Sequence, residues 1–282
     1  MKIKDVRSMK LTMQLKSRSY DIILKAGCLA NLHQFTNVAN RKVFVLTDSG
    51  VPAEYAQTVA AQCPDSTVYT IPRGEGSKCL KVYGQVLQAM LAFGMDRKDL
   101  LVSVGGGVVG DLGGFCAASY MRGIDFVNCP TTVLSQVDSS IGGKTAIDLG
   151  ETKNIVGAFW QPKVVLVDFD TLKTLPRRQV VNGLAEALKT AELVTTAVGL
   201  RILPIVAKPI AAGLAARKNA GNAAPLNIVA CENAVRATSQ LKNAVYALLD
   251  DETKAFADAN VGFADCAVDR IVPKMDFADP LD

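Results

Sequence analysis

Histidine is almost missing from this chain: His33 is the only one among 282 residues. Any mechanism needing two histidines from one chain is excluded, and His33, in Leu32-His33-Gln34, reads as a surface or capping residue. Long hydrophobic runs are missing too. No stretch reaches the ~18 to 20 uninterrupted apolar residues that span a bilayer, and the nearest, Leu200 to Ala216, is broken by Arg201, Lys208 and two prolines. Met1 to Arg7 carry charge but no apolar core of the kind a secretion signal needs. The seven cysteines are odd in number and none are paired at CxxC spacing, so neither a disulfide framework nor a thiolate zinc site is indicated. Strong charge of one sign is lacking as well. The formal net charge of +4 marks no nucleic-acid patch and does not oppose an anionic small molecule. A cytoplasmic protein without membrane or nucleic-acid partners is the expectation; a homodimer is left open.

What is present is an alternation of short apolar strands and helical periodicity. Tyr20 to Leu24, Arg41 to Thr47, Ser66 to Ile71, Asp99 to Val104 and Lys163 to Asp168 read as strands. Ala53 to Gln62 and Lys81 to Phe93 read as helices, the second ending at Gly94. Such alternation predicts an α/β parallel-sheet nucleotide-binding domain with both faces covered, and ligands beyond the carboxyl ends of the strands. From Pro176 the pattern turns helical through Lys189, and Ala207 to Lys218 is alanine-rich helix. Strand-like runs follow around Asn227 to Ala230 and Val261 to Phe263.

The loops carry the chemistry. Gly105-Gly106-Gly107-Val108-Val109-Gly110-Asp111 lies between a strand and a helix, where glycines admit an anion to backbone amides and a helix N-terminus favours it. The bland reading is a tight turn with Asp111 as helix cap. Pro130 to Thr145 groups hydroxyls, Asp138 and Lys144 around a flexible backbone, which suits a polyhydroxylated anion; Thr131 and Thr132 equally suit a helix cap. Gly143-Lys144-Thr145 is no P-loop, since the first glycine of that motif would fall at Asp138. Glu186 stands three residues before Lys189, on one helical face, a spacing that also makes ordinary solvated ion pairs.

In the same order, Gly74-Glu75-Gly76-Ser77-Lys78, Gly105 to Asp111, Tyr120 to Gly123, Pro130 to Asp148, Lys153-Asn154 with Gly157-Ala158-Phe159, Leu175-Pro176 and Gly183 to Glu186 resemble 3-dehydroquinate synthase, over about residues 15 to 192. The resemblance implies an NAD-using lyase of the shikimate pathway of aromatic biosynthesis. It would eliminate phosphate from a seven-carbon sugar-acid phosphate and close the carbocycle. By resemblance, Asp48, Glu75, Lys78, Gly107, Val108, Val109, Gly110, Asp111, Thr131 and Thr132 hold NAD. Asp138, Lys144 and Lys153 sit where cofactor and substrate meet, Arg122, Asn154 and Lys189 contact substrate, and Glu186 is the zinc-binding glutamate.

The family's two zinc histidines have no counterpart here, so the implied zinc site is incomplete. Leu193 to Gly199, Pro225 to Asn233, Val261 to Phe263 and Ala267 to Pro273 resemble mannitol-1-phosphate 5-dehydrogenase instead, with Asn233 matching a substrate-region asparagine. A junction near residues 190 to 194 joining parts of two genes is the simplest account. The expected organisation is an NAD-binding α/β domain at 1–160, the opening of a truncated, mainly helical metal and substrate domain at 161–192, and a polyol-phosphate dehydrogenase-like fragment at 193–282. Two other functions stay open: a non-catalytic NAD-binding module, and an oxidoreductase related to mannitol-1-phosphate 5-dehydrogenase.

Overall fold

Val43-Phe44-Val45-Leu46 is an unbroken apolar run and Leu100 to Val104 is apolar but for Ser103, a pattern that a strand buries only when both sheet faces are covered. The computed structural model describes residues 8–15, 18–196, 198–232 and 234–265. It begins with β1 (Met9–Met13), β2 (Tyr20–Leu24), β3 (Lys42–Asp48), α1 (Ala53–Ala60), β4 (Asp65–Ile71), α2 (Leu80–Ala92), β5 (Leu100–Gly105) and α3 (Gly107–Ser119). There follow β6 (Asp125–Pro130), β7 (Lys144–Leu149), β8 (Thr152–Phe159), β9 (Val164–Val167) and α4 (Arg177–Leu188).

Seven strands form one sheet in the order β1-β2-β9-β6-β5-β3-β4, parallel except for the β1–β2 hairpin. The period of two along a strand sends alternate residues to opposite faces. Val43 and Val45 join Leu100, Val102 and Val104 against Leu32, Ala56 and Val59. Phe44 and Leu46 join Leu101 on the other face, under Val86, Met90, Leu112 and Cys116. Helix α3 lies close to the sheet because Gly113 and Gly114 carry no side chain; a Cβ at either would collide with Ser103 or Thr145.

The sheet corrects the boundary expected at residue 160. β9 lies between β2 and β6, so the large sheet cannot be completed without residues 164–167. β7 and β8 form a separate antiparallel hairpin, where the sequence suggested loops and an apolar turn around Lys144 and Lys153. β1 and β6 were not anticipated either.

Contacts divide the chain within α4, after Gly183. The second unit contains β10 (Leu193–Thr196), α5 (Leu203–Asn219), β11 (Leu226–Ala230), α6 (Ala237–Tyr246), α7 (Asp251–Asn260) and β12 (Val261–Phe263). Its three strands are parallel, in the order β10-β11-β12. Leu203, Ala207, Ile210 and Leu214 of α5 pack with Ile228 of β11, Leu241 and Val245 of α6, and Leu188. The helix over Ala207 to Lys218 and the strand-like runs around Asn227 to Ala230 and Val261 to Phe263 fall on α5, β11 and β12. Among the described residues no helix is long and apolar enough to cross a membrane.

Candidate functional site

From β3 the chain crosses to β4 on one side and then returns to lay β5 on the other. Loops leaving β3 and β5 therefore diverge and open a crevice at the carboxyl ends of these strands, the place where open parallel sheets bind ligands. A cleft of about 610 Å³ lies there, lined by Asp48, Gly50, Arg73, Gly106, Gly107, Val108, Thr131 and Thr132, with Tyr55, Thr171, Thr174 and Gln179 opposite. Gly106 is the N-cap of α3 and supplies no side chain to the amides of its first turn. Those donors are free to meet an anion. Thr47 Oγ1 donates to Val104 O at 2.8 Å and fixes β3 against β5 at the cleft floor. Asp48 Oδ1 accepts from the Gly50 amide at 2.7 Å.

Both readings of the threonine pair hold some ground. Thr132 Oγ1 accepts from Ser135 N at 3.2 Å, a cap-like bond where the chain enters the π-type turn Ser135–Ser139, while Thr131 and Thr132 both line the cleft. Val109 differs from its neighbours: its side chain is wholly buried in the core and can offer the cleft only backbone. Gly110 is likewise buried and its amide is engaged with Gly106 O at 3.1 Å.

A second cleft, of about 450 Å³, is lined by Asp111, Asp138, Ser139, Lys144, Thr145, Asn154, Ile155 and Phe159. The clefts adjoin at Gly107, where a Cβ would come 3.1 Å from Ser139 Oγ. Lys78, almost fully buried, anchors this region: its ammonium lies 2.6 Å from Asp111 Oδ2 and donates to Asn154 Oδ1. Asn154 has a left-handed backbone (φ 56°) and gives its amide to Asp148 Oδ1 at 2.8 Å, while Asp148 N donates to Lys78 O at 2.8 Å. Burial pushes the Asp111 carboxyl above the usual carboxylate range, and the Lys78 ammonium draws it partly back. Lys153 and Glu75 form an exposed pair at 3.7 Å.

Sequence reasoning missed the scaffold behind these loops. Asp168, buried at the end of β9, accepts from the amides of Gly27, Leu29 and Asp170 at 2.8 to 3.0 Å. Gln136 Nε2 donates to Pro130 O, Asp168 O and Thr171 Oγ1, tying the Thr131 loop to the β9 end. An acid ending an apolar strand was a visible signal for Asp168; Gln136 offered none.

Glu75, Lys153 and Arg122 are among the expected site residues that line neither cleft. Arg122 is exposed, in left-handed backbone (φ 68°) next to Met121 (φ 48°), and lines neither cleft. Glu186 and Lys189, in the second unit, pair with each other at 2.7 Å, as their spacing allows. The residues present do not fit a zinc ion at Glu186. Its carboxylate is already neutralised by Lys189, no three His, Cys, Asp or Glu among the described residues are grouped so that they could hold a metal ion, and His33 bonds to Gln62 at 3.1 Å. Asn233 and Ala267 to Pro273 lie outside the described residues.

Residues 68–182 match the family described as 3-dehydroquinate synthase N-terminal, and residues 164–282 match the mannitol dehydrogenase Rossmann domain. A 3-dehydroquinate synthase of Pelobacter propionicus is 45% identical over 185 residues, 64% of this chain and 52% of that protein. One from Streptococcus suis is 42% identical over 187 residues, 64% and 53% respectively. The chain thus spans about half the length of the curated relatives it matches. Among solved structures, a 2-deoxy-scyllo-inosose synthase complexed with carbaglucose-6-phosphate, NAD+ and Co2+ is 27% identical, with a TM-score of 0.61 over 66% of this chain and 52% of that one. The 2-epi-5-epi-valiolone synthase of Streptomyces hygroscopicus, with NAD+ and Zn2+ bound, is also 27% identical, with a TM-score of 0.57 over 86% and 64%. Residues 68–182 of this chain are thus similar to the N-terminal part of 3-dehydroquinate synthase and residues 164–282 to a mannitol dehydrogenase Rossmann domain, the two matches overlapping at 164–182.

Proposed function

We propose that the first unit holds NAD in the crevice between β3 and β5 and an anionic sugar phosphate in the Lys144 cleft beside it. That is the ligand arrangement of an NAD-dependent cyclase of the dehydroquinate synthase type, an enzyme that eliminates phosphate from a seven-carbon sugar-acid phosphate. The observation carrying this reading is the junction of the two clefts at Gly107 and Ser139. Bound NAD supplies reversible hydride acceptance from a ring carbinol. The amides of Gly107 and Val108 meet its pyrophosphate, Asp48 a ribose hydroxyl, and Thr131 and Thr132 its neighbouring polar groups. Lys144 and Lys153 neutralise substrate phosphate or carboxylate by charge-assisted hydrogen bonds, and Asn154 and Asp138 orient its hydroxyls. Arg122, as a further substrate contact, belongs to the same proposal, as do a homodimer and a cytoplasmic setting.

The misfit at Glu186 favours a second reading, in which NAD is held without turnover. A junction near 190 to 194 accompanies either reading. Calorimetry with NAD on the full chain, followed by a phosphate-release assay with the seven-carbon sugar-acid phosphate, separates them. Binding with release supports the cyclase, binding without release supports the module, and absence of binding sinks both.

A further inference from the structure

The acid that closes β3 has a cation beside it. Ser49 N donates to Ile71 O at 2.9 Å and Arg73 N donates to Ser49 Oγ at 3.1 Å, so the turns after β3 and β4 are laced together. The lacing sets Arg73 against the Asp48 turn. A Cβ on Gly50 would lie 3.0 Å from Asp48 Oδ1 and 3.2 Å from Arg73 Cβ. Asp48, Gly50 and Arg73 all line the same cleft. Arg73 is exposed, and its one hydrogen bond among the described residues comes from its backbone, which leaves the guanidinium without a partner.

At open parallel sheets, an acid near the end of such a strand takes the ribose 2′-hydroxyl of NAD, while an arginine nearby accommodates the 2′-phosphate of NADP. Here both side chains are present. One Asp48 oxygen is committed to the Gly50 amide and the other is left for a diol. A 2′-phosphate next to that carboxylate would meet like charge, which a guanidinium forked onto phosphate offsets. Resting on the dinucleotide reading above, we propose that Arg73 makes this end of the cleft a 2′-phosphate subsite, so that the chain binds NADP as well as NAD.

The test is calorimetry of the full chain with NAD and with NADP, for the parent protein, Arg73→Gln and Asp48→Asn. The parent affinities are expected within about tenfold of each other, a gap of roughly 1.4 kcal/mol. Arg73→Gln should shift the ratio against NADP by at least about tenfold, and Asp48→Asn should shift it toward NADP. Raising salt should weaken NADP more than NAD. A parent preference for NAD beyond about tenfold, or a ratio that Arg73→Gln does not move, overturns the proposal while leaving NAD binding intact. Failure of both dinucleotides to bind overturns this proposal and the reading beneath it together.

Discussion

The Lys78 ammonium sits 2.6 Å from Asp111 Oδ2, joining the turn that follows β4 to the first turns of α3, and through Asn154 to β8. Three chain segments distant in sequence converge on one buried cation. Their mutual placement is what puts Lys144, Asp111 and Asn154 around a single cleft.

Removing Lys78 should therefore cost more than one contact. Lys78→Met leaves a largely buried carboxylate unpaired, which should destabilise the first unit by about 3 kcal/mol at neutral pH. The pH dependence has a definite sign. Burial already raises the Asp111 pKa above its unfolded value, so the protonated form is favoured by folding. Its contribution is fully present below the unfolded pKa and is lost as pH rises through the folded one. Without Lys78 that loss deepens, so the deficit of Lys78→Met should shrink as pH falls toward about 4. Urea unfolding at acid and neutral pH checks this. A deficit that grows in acid would show that Asp111 is not the group left exposed to burial.

The thiols give a second pH signature. Cys28, Cys63, Cys116 and Cys129 are buried, while Cys79 and Cys231 are partly accessible. Burial pushes the Cys28 thiol up to about 12, with Asp168 adding to the shift, and the Cys63 thiol up to about 11. Iodoacetamide on the folded chain should label Cys79 and Cys231 and spare the four buried thiols, read peptide by peptide in a mass spectrometer. Because these folded pKa values lie above the unfolded one, near 8.5, the thiols favour folding below that pH. Stability should fall as pH rises from about 9 through about 11 to 12, by thermal unfolding at stepped pH.

Much of this was legible in the residues because the signals were local. The runs at Val43 and Leu100 announced buried strands, and the glycines at 105 to 107 announced a turn onto a helix. The hairpin β7–β8 was not legible. Its strands carry Lys144, Lys153 and Asn154 outward and bury only Thr145 and Ile147, so polarity masked the strand period. β6 begins with Asp125 and ends in Pro130, and its buried Asn128 breaks the apolar run. Membership of the Asp111 cleft depends on Lys78 and Asp148, whose meeting is a tertiary fact with no sequence spacing to betray it.

Arg217 governs the second unit. It is fully buried near the end of α5, and its Nη1 donates to Leu188 O, Lys189 O and Ala191 O at 2.9 to 3.1 Å, its Nη2 to Ala224 O at 2.7 Å. Among the described residues no carboxylate pairs with it and four carbonyls hold the charge, two of them from the last residue of α4 and the residue after it. Asn222 Nδ2 adds a donor to Lys189 O at 2.6 Å. The segment 188–191, beside the expected junction, is thereby built into the core of the second unit. Arg217→Met would keep the apolar stem but strip donors from four carbonyls, two of which belong to a helix C-terminus that needs partners. Losing these bonds costs several times about 1 kcal/mol, and relief from burying a cation returns part of it, leaving a net loss of about 2 kcal/mol. Amide exchange read by mass spectrometry should show faster exchange over 184–230 in Arg217→Met, with the seven-stranded sheet unchanged. Equal protection in parent and variant would mean that the carbonyls find other donors and that Arg217 is replaceable.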